Sequence, residues 1–373
     1  MLHLPPFRYL APRSLPEAVG LLADLGPEAR LLAGGTDLLP GLKRGQLSPG
    51  CLVALADVPG LDGVRPAGDA PPEAVRDAER FGPGLTLGAL TSIAELGAGP
   101  LVRREYPVVA QAAELVATPT LRRMGTLGGN LCLDTRCTFF DRSPLWRAAA
   151  GECLKCAGDV CRVAPGADRC WAAASSDLAP VMVALGATVR LVGPGGERVL
   201  PVEGLYRDDG LAPLALEPGE ILVEVRLPPP DGVRASYLKL RPRATFDFPS
   251  LGVAVALWMR DGACERARVV VGAVASRPLR MAAAEAVLSG HAPTAERLAA
   301  AADAVGQVVR PMDNVDLPPA YRRRMARVYT ERALGQALGP TPGAAGGAER
   351  PGAAGLPAAV RGRDGYPTGS ANE

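Results

Sequence analysis

Six of the eight cysteines lie within 39 residues, from Cys132 to Cys170, and no other feature constrains the fold of this chain as strongly. The intervals between them are x4, x15, x2, x4 and x8. Four thiolates from one such segment can bind a [4Fe–4S] cluster or a Zn²⁺ ion, because both accept coordination by sulfur alone. Zinc sites usually contain two CxxC pairs, and only Cys153-Leu-Lys-Cys156 has this spacing. The pattern favours an iron–sulfur cluster, with zinc, disulfides or unliganded thiols as alternatives.

The length of the chain limits how many domains it can form, and its charge limits which kinds of partner it can bind. A chain of 373 residues has room for two or three domains with their own cores. Its 41 basic and 39 acidic residues give a net charge of +2, which disfavours nucleic acid and anionic lipid as partners. The N-terminus lacks an apolar signal segment, and the longest apolar runs, such as LGVAVALWM, are too short to span a membrane. We expect a soluble cytoplasmic protein without membrane insertion, in which clustered cysteines favour metal or redox chemistry over disulfides.

Histidine is scarce, because only His3 and His291 occur in the sequence. A catalytic device that relies on a histidine base is therefore hard to build. We expect no catalytic residue in this chain, and chemistry that depends on a bound cofactor.

Strand patterns alternate with helix patterns along the first part of the chain. Apolar runs such as ARLLA, CLVAL and LTLGA predict buried strands, and capping boxes at Ser14 and Ser92 predict helix starts. DLAPVMVALG predicts a helix that is followed by a hairpin across GPGGE. From about residue 232 the pattern changes to a strand, a turn at Asp261-Gly262, a second strand and three helices. We expect a variable surface connection at residues 66–84 and a disordered tail, rich in glycine, proline and alanine, at residues 338–373.

Two loops with adjacent glycines are candidates for binding phosphate. The first is Leu31-Leu32-Ala33-Gly34-Gly35-Thr36-Asp37-Leu38, which follows a predicted strand, and the second lies in Met124-Gly125-Thr126-Leu127-Gly128-Gly129-Asn130. Adjacent glycines let backbone N–H groups approach a phosphate without a Cβ atom in the way. Two such loops can clamp both phosphates of a dinucleotide. Neither has the GxGxxG or GxxxxGK(S/T) pattern, so ordinary turns stay an alternative.

Two charged residues outside these loops have simple structural interpretations. Asp177, in SSDLAP, is predicted to cap the N-terminus of a helix. Lys239, in SYLKLRPR, is predicted to lie on a solvated strand face. On the residues alone, neither side chain is assigned a functional role.

Three segments, AGGTDLLPGLKRG, LTLGALTSIAEL and RRMGTLGGNLC, occur in this order and resemble the FAD-binding subunit of the molybdenum hydroxylases. The resemblance runs from about residue 5 to about residue 335. It implies a fold like that of vanillyl-alcohol oxidase and p-cresol methylhydroxylase, with two α/β subdomains around an extended FAD and a smaller C-terminal α+β domain. The implied boundaries are 1–230 for the FAD-binding domain and 231–337 for the C-terminal domain.

The resemblance also implies roles for individual residues in the FAD-binding domain. Residues 31–38 and 126–130 would hold the pyrophosphate, and Thr118 would lie near the isoalloxazine ring. Backbone donors in such loops suit phosphate oxygens.

Three further residues are implied on the ribityl and ring side of the flavin. Asp177 would hydrogen-bond the ribityl or ribose region, and Ile221 and Lys239 would lie near the ring. A lysine in that place is suited to stabilising the anionic reduced flavin.

The sequence departs from most of this family between the second loop and Asp177. In most of these flavin subunits the two motifs lie close together, whereas 46 residues separate Asn130 from Asp177 here. The extra segment, at about residues 131–174, resembles the β subunit of 4-hydroxybenzoyl-CoA reductase, which carries FAD and an additional [4Fe–4S] cluster. The ligands implied by this resemblance are Cys137, Cys153, Cys161 and Cys170. Cys156 is an alternative to Cys153 or Cys161, and Cys132 is the weakest candidate.

The closer resemblance implies an electron-transfer subunit without an acid–base site of its own. Electrons would pass from reduced ferredoxin through [4Fe–4S] and FAD to a small subunit with two [2Fe–2S] clusters. They would reach molybdopterin on a large subunit, where an aromatic CoA thioester loses its phenolic hydroxyl, in a dimer of heterotrimers. The alternatives are the flavin subunit of a xanthine, carbon monoxide or aldehyde dehydrogenase-type hydroxylase and a zinc-stapled scaffold without enzymatic activity.

Overall fold

The computed structural model describes residues 3–68, 84–244 and 246–339. Residues 69–83, most of the expected surface connection, and residues 340–373, most of the expected tail, lie outside the described residues. Within the described ranges, no helix is both long enough and apolar enough to cross a membrane.

The strands and helices of the described ranges follow the order expected from the sequence patterns. The strands are β1 (Arg8–Leu10), β2 (Ala29–Leu32), β3 (Cys51–Ala54), β4 (Val64–Pro66), β5 (Leu85–Gly88), β6 (Thr188–Gly193), β7 (Gly196–Pro201), β8 (Ile221–Leu227), β9 (Arg234–Leu240), β10 (Leu251–Arg260), β11 (Ala263–Gly272) and β12 (Leu279–Arg280). The helices are α1 (Leu15–Leu25), α2 (Leu38–Lys43), α3 (Ile93–Ala98), α4 (Pro100–Glu105), α5 (Pro107–Leu115), α6 (Pro119–Met124), α7 (Leu127–Leu131), α8 (Pro144–Ala150), α9 (Leu178–Leu185), α10 (Ala282–Leu288), α11 (Ala295–Val308) and α12 (Pro319–Leu338).

A small parallel sheet, in the order β1-β3-β2, carries the first Gly-Gly loop at the end of β2. Helix α1 packs its buried residues Ala18, Val19 and Leu22 into the same core as β3. The predicted cap is confirmed, because the Ser14 hydroxyl accepts a hydrogen bond from the Glu17 N–H at 3.3 Å. The first loop is therefore fixed at a strand end with a packed sheet behind it.

The second sheet, in the order β4-β5-β8-β6-β7, is antiparallel throughout. Alternating strand and helix patterns usually indicate parallel pairing of the strands. Here β6 and β7 instead form the predicted hairpin, and β8 pairs antiparallel with the other edge of β6. Every residue of α9 is buried. A helix that is apolar on all sides must lie inside the fold, and α9 packs between this sheet and the C-terminal domain.

The C-terminal sheet has the order β12-β11-β10-β9 and carries helices α10, α11 and α12. The predicted hairpin is confirmed, with β10 and β11 joined through Asp261 (φ 49°) and Gly262 (φ 80°), the backbone signs of a tight hairpin turn. Successive side chains of β9 point to opposite faces. Tyr237 belongs to the core of the FAD-binding domain, whereas Leu240 belongs to the core beneath the C-terminal helices. The alternation puts Lys239 on the same face as Tyr237.

A buried arginine connects α12 to the loop that precedes it. The Arg322 guanidinium is fully buried and donates to the carbonyl oxygens of Ser250 (2.7 Å), Met312 (2.8 Å) and Ala273. Burial lowers its pKa to about 10. The loop it holds contains Asn314, which donates to the Trp171 carbonyl and accepts from the Thr138 N–H at 3.0 Å. The C-terminal domain thereby supports the cysteine-rich segment.

Candidate functional site

The two Gly-Gly loops, predicted separately, lie in direct contact. A Cβ atom added to Gly34 would come within 1.7 Å of the Met124 carbonyl oxygen, so the backbones touch and only glycine fits at this position. On the other side of the contact, a Cβ on Gly125 would lie 3.5 Å from the Thr36 hydroxyl. The fold therefore builds one concave region from two segments that are about 90 residues apart in sequence.

The first loop has backbone donors to offer. Among the described residues, no acceptor lies within hydrogen-bonding distance of the N–H groups of residues 34–37. Gly35 has a φ of 70°, which side-chain-bearing residues rarely adopt. Consecutive unpaired N–H groups around such a turn form the kind of concave site that binds anions. The first loop therefore offers hydrogen-bond donors suited to an anion, and its assignment to the pyrophosphate stays a prediction.

The second loop differs, because most of its backbone donors are already used. The N–H groups of Leu127 and Gly128 donate to the Thr91 and Ala89 carbonyls at 2.9 and 2.7 Å. The Gly129 N–H donates to the hydroxyl of Thr126 at 3.1 Å, so this hydroxyl caps the short helix α7. Among residues 126–130, only the Thr126 N–H makes no hydrogen bond within the described part of the chain, so the loop offers a ligand few backbone donors.

Thr118 and Ile221 have structural environments of their own. The Thr118 hydroxyl caps α6 by accepting from the Leu121 N–H at 3.4 Å. Ile221 is 1% exposed and packs in the core of the small sheet with Val53 and Val223. The assignment of both residues to the flavin ring stays a prediction.

Asp177 and Lys239 form a buried ion pair, so the prediction of a solvated Lys239 is wrong, and Asp177 lies at the N-cap position of α9 without making the capping hydrogen bond. The Lys239 Nζ donates to the Asp177 carboxylate and to the Leu115 carbonyl at 2.9 and 3.0 Å, and its side chain is 1% exposed. The Tyr237 hydroxyl donates to the second carboxylate oxygen at 2.9 Å. Asp177 therefore makes no helix cap, and Ser176 accepts from the Ala179 N–H at 2.9 Å instead.

Burial opposes both charges of this pair. It raises the pKa of Asp177, although the positive charge of Lys239 and the hydrogen bonds from Lys239 and Tyr237 act in the opposite direction. Burial also lowers the pKa of Lys239, with the negative charge of Asp177 opposing it. The ion pair is held by its hydrogen bonds within a nearly dry environment, where a missing partner is costly.

The two segments that flank the cysteine-rich insert, at Asn130 and at residues 176–178, are hydrogen-bonded to each other. The Asn130 carboxamide oxygen accepts from the Ser176 hydroxyl at 2.7 Å and from the Leu178 N–H at 3.2 Å. Just inside the insert, Arg136 and Ala173 exchange two backbone hydrogen bonds of 2.8 Å. The 46 residues between Asn130 and Asp177 therefore begin and end at neighbouring positions beside the second loop.

Four cysteines of the insert line one cavity, and they are the four predicted ligands. Cys137, Cys153, Cys161 and Cys170 are each 5–7% exposed and line the same pocket. Cys156 is partly exposed and does not line the cavity. All eight cysteines of the chain lie in the described ranges, and none forms a disulfide.

The sulfur atoms of this cavity have an environment suited to bound thiolates. Burial raises the pKa of the Cys137 thiol, against which the backbone N–H groups of Phe139 and Phe140 stabilise its thiolate. Burial likewise raises the pKa of Cys170 to about 11, with the Ala172 N–H and the charge of Lys155 opposing it. Hydrogen bonds to cysteine sulfurs are one of the ways in which proteins tune iron–sulfur clusters.

The spacing of the sulfurs bears on which metal the cavity fits. A tetrahedral zinc ion with Zn–S bonds of ~2.3 Å requires sulfurs roughly 3.8 Å apart. In the part of the chain that the structure describes, no three His, Cys, Asp or Glu side chains come together in a way that would hold one metal ion. A [4Fe–4S] cluster binds each thiolate through a different iron, so it does not require the four sulfurs to surround a single ion.

Two residues near these sites escaped sequence reasoning. The Arg136 guanidinium lies 3.5 Å from carboxylate oxygens of both Asp37 and Asp141, and 4.0 Å from the centre of the Phe248 ring. Lys155, inside the CxxC motif, lines the cysteine cavity. The only signal for either was its position next to a cysteine in the sequence.

Comparisons with known proteins assign both domains of the chain to known families. Residues 5–230 match the family described as FAD binding domain in molybdopterin dehydrogenase, and residues 236–337 match the CO dehydrogenase flavoprotein C-terminal domain. The carbon monoxide dehydrogenase medium chain of Afipia carboxidovorans is 32% identical over 335 residues, which cover 89% of this chain and 96% of that protein. The aldehyde oxidoreductase FAD-binding subunit PaoB of Escherichia coli is 35% identical over 283 residues, with coverages of 74% and 83%. A solved structure of carbon monoxide dehydrogenase from Hydrogenophaga pseudoflava matches with a TM-score of 0.70 at 30% identity, with coverages of 89% and 97%.

The contact between the loops predicts the effect of a single methyl group. Gly34→Ala places its Cβ against the Met124 carbonyl, so the backbone of one loop must move away. We expect the variant to lose most of its bound FAD, measured as the flavin-to-protein absorbance ratio after gel filtration. Gly20→Ala is the matched control, because nothing lies within 4 Å of its added Cβ atom and helix α1 tolerates alanine. Full flavin occupancy in Gly34→Ala would contradict the assignment of this contact to the cofactor.

The buried ion pair predicts non-additive effects on stability. Lys239→Met leaves the Asp177 carboxylate buried without its cation and is expected to lower the free energy of unfolding by about 3–5 kcal/mol. In the double variant with Asp177→Asn, no buried charge is left unpaired, so we expect most of this loss to be recovered. Urea denaturation of the wild type, both single variants and the double variant measures the coupling. Additive losses would show that the two side chains do not depend on each other.

Proposed function

Because this chain belongs to the FAD-binding medium subunits of the molybdenum hydroxylase family, we propose that it is the flavin and iron–sulfur subunit of a 4-hydroxybenzoyl-CoA reductase-like enzyme. Its relatives are flavoprotein components of multi-subunit oxidoreductases. The observation that carries the finer proposal is the cavity lined by Cys137, Cys153, Cys161 and Cys170 inside the insert. A flavin subunit that only exchanged electrons with a soluble acceptor would not need it.

We assign the four cysteines of this cavity as the ligands of a [4Fe–4S] cluster. The assignment is supported by their burial, by the N–H groups directed at the Cys137 and Cys170 sulfurs, and by their common position on the wall of one pocket. Cys156, outside the cavity wall, is not assigned as a ligand.

For FAD, we assign the pyrophosphate to the free N–H groups of residues 34–37, with residues 126–130 as the close-packed opposite wall. Thr118, Asp177, Ile221 and Lys239 are proposed to face the ribityl chain and the ring. In this proposal the domain has the vanillyl-alcohol oxidase and p-cresol methylhydroxylase type of fold. When bound, the cluster supplies one-electron transfer, and FAD exchanges one or two electrons.

The chain's own residues connect the two cofactor sites. Asn130 joins the second loop to the segment that starts α9, on either side of the insert. Arg136, next to the proposed ligand Cys137, reaches Asp37 in the first loop. The role of these residues is to hold the cysteine cavity at a fixed position against the flavin loops, since electron transfer depends on a constant separation.

The complete enzyme would contain partners that this chain does not supply. We propose a molybdopterin-containing large subunit, a small subunit with two [2Fe–2S] clusters, and ferredoxin as the electron donor in the cytoplasm. The assembly would be a dimer of heterotrimers that removes the phenolic hydroxyl of an aromatic CoA thioester. The second candidate is a hydroxylase subunit working in the opposite direction, which the named carbon monoxide and aldehyde-oxidising relatives favour.

Metal and sulfide analysis after anaerobic purification of the full chain tests the cluster assignment. We expect about four iron and four sulfide per chain in the wild type, and the same content in Cys156→Ser. Cys161→Ser is expected to lose most of its iron, because it removes a ligand from the cavity. Stoichiometric zinc without iron would support the scaffold instead. Loss of iron in Cys156→Ser with retention in Cys161→Ser would overturn the ligand assignment.

Steady-state assays of the assembled complex test the direction of electron flow. Reduced ferredoxin is expected to support dehydroxylation of an aromatic CoA thioester, with loss of this activity in Cys161→Ser. The hydroxylase alternative requires NAD⁺-linked or dye-linked substrate oxidation that Cys161→Ser leaves intact. That second pattern would remove the reductase assignment.

A further inference from the structure

Lys155 is a nearly buried cation on the wall of the cysteine cavity. It lies between Cys153 and Cys156 in the sequence, and its side chain is 6% exposed. Lysine is rarely buried to this extent unless its charge is paired or takes part in function. Its neighbour on the cavity wall, Arg162, is exposed to solvent.

Hydrogen bonds hold the ammonium group in one position. The Lys155 Nζ donates to the Asp134 carboxylate and the Thr135 hydroxyl, both at 2.6 Å, and to the Gly210 carbonyl at 2.8 Å. An ammonium group has three donors, and these contacts use all of them. The Asp134 side chain is 47% exposed, so water screens its charge more than that of the lysine. The ammonium group belongs to a residue of the cavity wall, whereas Asp134 is not part of that wall, so the cavity faces the positive end of the ion pair.

The same contacts place the ammonium group beside Cys170. The Gly210 N–H donates to the Cys170 carbonyl at 2.8 Å, and a Cβ atom on Gly210 would lie 2.9 Å from the Cys170 sulfur. Lys155 is therefore linked through Gly210 to the residue whose sulfur lines the cavity.

We propose that Lys155 is a positioning residue that raises the reduction potential of the cluster in this cavity. The proposal rests on the proposed function, since it requires the [4Fe–4S] cluster. Reduction adds one electron to the cluster core, with no bond made or broken, and the added negative charge is attracted by a cation that water screens poorly. A higher potential favours acceptance of electrons from a low-potential one-electron donor.

A redox titration monitored by electron paramagnetic resonance tests this on the anaerobically purified full chain. Lys155→Met is expected to keep its iron. We expect its equilibrium constant for reduction of the cluster to fall at least tenfold, which is a shift of ~59 mV to lower potential for a one-electron couple. Lys155→Arg keeps the charge and is expected to stay near the wild type. Arg162→Met, which removes an exposed cation from the same wall, is the matched control and should shift the equilibrium by less than Lys155→Met. The flavin potential serves as an internal reference.

The outcomes of this titration distinguish a failure of the Lys155 proposal from a failure of the cluster assignment. A wild type without iron and sulfide overturns the cluster assignment itself. If the wild type and Lys155→Met both contain the cluster and their equilibrium constants for its reduction agree within twofold, the role of Lys155 is overturned. The cluster assignment is then unaffected. If Lys155→Met loses its iron, Asp134→Asn decides, because it removes the opposing charge and keeps an acceptor for the lysine. Its cluster is expected to have a raised potential, and an unchanged or lowered one contradicts the proposal.

Discussion

The carboxamide oxygen of Asn130 accepts two hydrogen bonds on which the arrangement of the whole site depends. It joins the end of the second Gly-Gly loop to the start of α9, and the entire cysteine-rich insert lies between these two points of the chain. Both partners are buried, so the bonds form where water does not compete. The insert can therefore be large and irregular without disturbing the loops that adjoin it.

Burial has opposite consequences at the two candidate sites. At Asp177 and Lys239 it opposes charges that the fold itself neutralises, so that pair is complete within the protein. In the cysteine cavity it raises the pKa of Cys137 and Cys170 without a full set of cations to balance four thiolates. In the proposed cluster site, metal would replace the protons of these thiols, and metal binding would then stabilise the folded insert.

Local patterns predicted the elements of this fold well, because they depend on neighbouring residues. The helix caps at Ser14 and Ser92 and the hairpin at Asp261-Gly262 are encoded within a few positions, and the structure contains them. The sequence also indicated both glycine loops, but their contact through Gly34 depends on how α6 meets the small sheet, which no local pattern contains. The pairing of Lys239 with Asp177 depends in the same way on the register and face of β9, so a strand residue expected in water is buried. Lys155 was overlooked because its partners, Asp134, Thr135 and Gly210, come from separate parts of the chain.

The paired backbone bonds between Arg136 and Ala173 have a consequence for how such a subunit arises. Two residues that exchange both hydrogen bonds in an antiparallel pair have Cα atoms about 5.5 Å apart, a gap that a short turn can close. The segment between them is therefore a detachable module, attached at adjacent points and supported by side contacts such as that of Asn314. A flavoprotein of this fold could gain or lose a metal-binding module through one insertion or deletion, while its sheets keep their strand order.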